Sequence, residues 1–67
     1  MSASTRLRIV RDLVFDAFTE SLGYSATLPD GATHSTMEKI VLRLSKCHDE
    51  LSDEINTLER WEKINAH

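Results

Sequence analysis

Between Ser35 and Asn65 the chain has no glycine and no proline, and its apolar residues recur at helical spacing: Met37, Ile40, Val41, Leu44, Leu51, Ile55, Leu58, Trp61 and Ile64. The steps alternate between four and three along Met37, Val41, Leu44, His48, Leu51, Ile55, Leu58, Glu62 and Asn65, which is a heptad seam. A second line, Ile40, Cys47, Glu54 and Trp61, runs beside it. This pattern predicts one long amphipathic helix over about residues 35–65. Ser35-Thr36-Met37-Glu38 reads as a capping box at its start, with the serine hydroxyl and the glutamate side chain each serving the other's backbone amide.

A shorter helix is predicted over about residues 4–22. With Val14 as the zero direction, Leu7, Val10, Leu13, Ala17, Phe18 and Leu22 fall within about 100° of it. Ser2 or Ser4 supplies the N-cap. Gly23 is placed to end the helix as its left-handed residue. Residues 24–34 form the connecting loop, with Pro29-Asp30-Gly31 as a turn signal. The fold class is therefore all-α: a single domain over residues 1–67, built as an antiparallel helical hairpin.

Charge order supports the antiparallel arrangement. With Leu22 opposite Thr36, Arg6, Arg8 and Arg11 approach Asp49, Glu50, Asp53 and Glu54, while Asp12, Asp16 and Glu20 approach Lys46, Arg43 and Lys39. Each exposed pair contributes only about 0–1 kcal/mol, so the set acts mainly on register and orientation.

Helix lengths carry the functional expectation. At 1.5 Å per residue the first helix is about 27 Å long and the second about 45 Å, so about twelve C-terminal residues run past the first helix. Leaving Leu58, Trp61 and Ile64 exposed forfeits about 5–9 kcal/mol. A two-fold homodimer forming a four-helix bundle covers them, with Leu51, Ile55, Leu58, Trp61 and Ile64 as the dimer or partner interface. A different protein seated on the same stretch is the competing reading.

Composition narrows the remaining classes. A chain of 67 residues is a small domain that needs help to be stable, and the one cysteine, Cys47, excludes a disulfide scaffold. No apolar run reaches the roughly 20 residues of a membrane span, and Arg11 and Asp12 interrupt the only stretch that could mimic a signal peptide. A cytoplasmic protein with no membrane association is expected. The formal charge of −3 is uneven: residues 1–48 hold six basic and five acidic side chains, residues 49–67 two basic and six acidic. Arg6, Arg8, Arg11, Lys39, Arg43 and Lys46 are a candidate basic face for nucleic acid, which the acidic half counts against.

No catalytic, cofactor or metal constellation emerges. Cys47, His48 and Asp49 are consecutive, so on a helix they point 100° apart and cannot converge on one ion. His34 and His67 are too distant in sequence to complete a set. Cys47 shows no base or oxyanion partner, and the carboxylates of residues 49–54 lie on an exposed helix. His48 stands at a seam position where an aliphatic residue is expected, as a satisfied half-exposed histidine or as a polar group fixing register. Trp61, the single tryptophan, is either buried in a dimer or an anchor for another protein. In size and architecture the chain resembles small helical-hairpin regulators of bacteria and their phages, a likeness of shape alone. The expected function is a small non-enzymatic interaction module, an inhibitor, anti-activator or adaptor, that works as a homodimer on a larger protein. The alternatives are a helical RNA- or DNA-binding protein and a structural subunit of an assembly.

Overall fold

The computed structural model describes residues 1–65. Two helices, α1 (Ala3–Thr27) and α2 (Ala32–Ile64), pack against each other as an antiparallel hairpin. The all-α hairpin expected from the sequence is thus observed, with different helix boundaries.

α1 runs five residues beyond Leu22. Gly23 is an interior helical residue rather than a left-handed stop. The helix ends where Pro29 forces it to: the residue before a proline is pushed out of the helical region, and Leu28 adopts φ −85°, ψ 140°. At the other end Ser2 is the N-cap, its hydroxyl accepting from the Thr5 amide at 3.2 Å.

α2 begins three residues before Ser35, so the capping box does not form. The Ser35 amide already bonds the Gly31 carbonyl, and Glu38 turns to His34 instead. The connection shrinks to residues 28–31. His34 ties it down, approaching the Leu28 carbonyl through Nδ1 at 3.2 Å and Glu38 Oε1 through Nε2 at 2.7 Å. Asn65 closes the far end of α2, where both its backbone amide and its side-chain amide donate to the Trp61 carbonyl.

The longer α1 removes the overhang. Ser4 faces Glu62, Arg8 faces Glu59, Arg11 faces Ser52, and Phe15 packs on His48. This register is displaced by about two helical turns from the one expected. Among the described residues none of the anticipated cross-helix ion pairs forms, and Arg8–Glu59 is the ion pair that joins the helices. The extra length of α2 lies instead at the loop end, beside the half-buried Leu28.

The seam predicted for α2 is observed. Met37, Val41, Leu44, His48, Leu51, Ile55, Leu58 and Glu62 are all buried or half-buried, with Ile55 1% exposed, whereas Asn65, the last predicted position, is exposed at the end of α2. The matching seam of α1 is Ser4, Leu7, Arg11, Val14, Phe18, Ser21 and Ser25, every one buried or half-buried. Four of these seven are polar, so the interior is thin: Val41 and Ile55 are its only buried apolar side chains among the described residues.

Candidate interaction surfaces

Each helix carries a row of residues on either side of its seam, and antiparallel packing brings like rows together on one face. The residues just after the seam form the first face. Here Arg8 meets Glu59, and toward the loop an open notch of about 320 Å³ is lined by Leu22, Ser25, Ala26, His34, Glu38, Val41 and Leu42. Leu42 stands on its rim at 71% exposure, with Phe15 further along the face.

The residues just before the seam form the opposite face. From α1 they are Ala3, Val10, Ala17 and Tyr24, and from α2 Ile40, Cys47, Glu54 and Trp61. Ala3 and Trp61 line a shallow concavity together with Leu58, Glu62 and Asn65, which fixes the pairing at the open end of the hairpin. Carried along the register, Val10 lies level with Glu54, Ala17 with Cys47, and Tyr24 with Ile40. Leu13 and Ile64 border this face and are largely exposed.

The five interface residues expected from the sequence therefore separate. Leu51, Ile55 and Leu58 pack within the hairpin, whereas Trp61 and Ile64 project from it. The six basic residues also disperse. Arg8 is engaged by Glu59, and Arg11 is half-buried in the seam with its guanidinium donating to Ser52 Oγ. Arg6 sits near the open end and Lys39 near the loop, at opposite ends of a molecule 56 Å long, so the six form no continuous stripe.

Glu62 has a role that the seam pattern did not disclose. The first turn of α1 contains no acidic residue, and the Glu62 carboxylate supplies one from α2. Oε1 accepts from the Ser4 amide at 3.1 Å and Oε2 from the Ser4 hydroxyl at 2.6 Å. These bonds, with the nearby Arg8, hold the carboxyl below its ordinary range. A carboxylate on the unpaired amides of a helix N-terminus is favourable on both hydrogen-bonding and dipole grounds. The only sequence signal was an acid at a position where the seam called for an aliphatic residue.

His34 is perturbed in the opposite sense. Glu38 and the Leu28 carbonyl present acceptors to both ring nitrogens, an arrangement that the doubly protonated ring alone satisfies in full, and its pKa is raised. His48 uses its ring as a packing surface, with its centroid 5.7 Å from that of Phe15 and Nδ1 3.8 Å from Asp49 Oδ1. Cys47 is exposed. Among the described residues no group of three or more His, Cys, Asp or Glu side chains could hold a metal ion; His67 lies outside them. No helix is long and apolar enough to cross a membrane. Compared with known protein families, curated proteins and solved structures, the chain matches none.

Proposed function

We propose that this protein is a small, non-enzymatic interaction module that works as a homodimer and regulates a larger protein by covering part of its surface. The cytoplasm, where a lone exposed thiol stays reduced, is the setting proposed for it. The observation that carries the reading is the amount of apolar side chain left outside the hairpin: Leu13 is 64% exposed, Trp61 59% and Leu42 71%. Large apolar side chains left exposed in this way support a binding role for the surfaces that carry them. The surface is also divided between two opposite faces, which suits one contact with a second copy and one with a target.

We assign the target to the Leu42 face. Its notch is concave, apolar at the base and rimmed by the His34–Glu38 pair, a form suited to an inserted aliphatic or aromatic anchor. A photo-crosslinking residue placed at position 42 in cells of the source organism should yield a discrete adduct with another protein. The same residue at Asp16, on the outer side of α1 away from both faces, serves as the control. Equal labelling from both positions, or adducts of the chain with itself alone, would overturn the assignment.

A further inference from the structure

We infer that the Trp61 face is covered by a second copy of this chain, packed antiparallel about a two-fold axis that passes beside Leu13. This deepens the interaction-module reading and rests on it: one face is given to self-pairing and the Leu42 face is left open.

Area and shape both call for an occupant of this size. The chain exposes 5176 Å², against about 4300 Å² expected for a compact monomer of this mass. The excess of about 900 Å² is close to the roughly 800 Å² that each partner buries in a standard interface. The radius of gyration is 15.7 Å, where a compact domain of this length has about 11 Å. Two hairpins laid face to face make the four-helix layer that a single hairpin lacks.

The residues on the face choose between the two ways a two-fold axis can lie in it. With the axis along the helices, α1 covers α2 of the second copy level for level. Val10 then meets the Glu54 carboxylate, and Leu13 meets Glu50. With the axis across the helices, α1 lies on α1 and α2 on α2, each pair antiparallel. Leu13 then meets its own counterpart, Val10 meets Ala17, Tyr24 meets Ala3, and Ile40 meets Trp61. On α1 large side chains oppose small or apolar ones, as interdigitation requires, while on α2 Glu54 falls beside Cys47 and Glu50 beside its own counterpart at the exposed edge of the face. Arg6 of each copy also comes beside Glu20 of the other, a contact the lengthwise axis matches with Glu20 on Arg43, so the apolar matching at Leu13 and Val10 makes the choice. The crosswise axis is therefore the one we assign.

Cross-linking and sedimentation test this directly. In a Cys47→Ser background, Leu13→Cys should form a disulfide or a short bis-thiol cross-link between chains under mild oxidation, because a residue beside the axis meets itself. Leu42→Cys in the same background, on the opposite face, should not. The unmodified protein should sediment at twice its 7.6 kDa chain mass at micromolar concentration, and Leu13→Asp should sediment as a monomer that retains its helical circular dichroism. Arg6→Glu and Glu20→Arg should each weaken dimerisation by about threefold to tenfold, with the double variant restored. Sedimentation of the unmodified protein as a monomer, cross-linking through position 42 in preference to 13, or an intact Leu13→Asp dimer would each overturn the proposal. None of these results depends on a target, so loss of the Leu42 adduct and loss of the dimer are separate failures.

Discussion

In Gly23→Ala the sign of the stability change distinguishes two structures for the middle of this chain. In the structure described above, α1 passes through Gly23 without a break, and a Cβ added there meets no heavy atom within 4 Å. The substitution then relieves a helix-interior glycine, which is less favourable than alanine by about 0.5–1 kcal/mol, largely through backbone entropy in the unfolded chain. For a domain of this size that corresponds to a rise in Tm of about 2–8 °C. Had the helix ended at Gly23 with that residue left-handed, alanine would instead cost about 1–2 kcal/mol. Thermal melts followed by far-UV circular dichroism, at equal chain concentration because self-association makes Tm concentration-dependent, read the difference. Amide exchange adds a second readout, since Tyr24–Thr27 should be protected in both proteins. A lower Tm in the variant, or unprotected amides over those four residues, would refute the continuous α1 and the register that follows from it.

Three further outcomes follow from the packing and the two perturbed ionisable groups. Ile55→Ala, at the most buried side chain, should cost about 2–5 kcal/mol in urea denaturation, a large share of the roughly 3–10 kcal/mol available to a chain of this length; a cost below about 1 kcal/mol would place Ile55 outside the seam. Ser4→Ala should cost about 1 kcal/mol near neutral pH by removing the hydroxyl bond to Glu62, and the Glu62 carboxyl should move back toward its ordinary pKa, as carbon-detected NMR titration would show. Because the folded pKa of Glu62 is depressed, its contribution is present above the unfolded value and disappears as pH falls through the folded one. His34 behaves oppositely: its folded pKa is raised, so its contribution is full below about pH 6.5 and lost as pH rises through the folded value. Tm should therefore decline over that rise in the unmodified protein and not in His34→Gln, and an identical decline in both would sink the assignment.

What could be read in advance differs between the helices for a physical reason. Six of the nine α2 positions from Met37 to Asn65 at alternating steps are apolar, so the seam, and with it the hairpin, was legible. In α1 the seam holds Ser4, Arg11, Ser21 and Ser25, while Val10 and Leu13 lie outside it and are exposed. An apolar arc centred on Val14 gives the right direction but cannot separate the residues facing α2 from those facing outward. Boundaries failed where a local signal met a stronger constraint. Gly23 permits a stop that Pro29 alone enforces, and Ser35 offers a cap to a helix already begun at Ala32. From those two boundaries came the supposed overhang, and with it the grouping of Ile55 with Trp61. The Glu62–Ser4 clamp joins residues too far apart in sequence for any local pattern to reveal.

The contrast between the two ends of the hairpin also sets the order in which it assembles. The bond between His34 and Leu28 spans six residues, whereas that between Ser4 and Glu62 spans fifty-eight. Closing the longer loop costs about 2 kcal/mol more in chain entropy if it is attempted first. Chain entropy therefore favours starting at the Pro29 turn and zipping outward, each seam layer shortening the loop left for the next. On that entropic ground the clamp is the contact expected to form last and open first, which puts Trp61 on the stretch of α2 that parts most readily from α1. A partner that engages Trp61 meets the hairpin where separating the helices takes the least work.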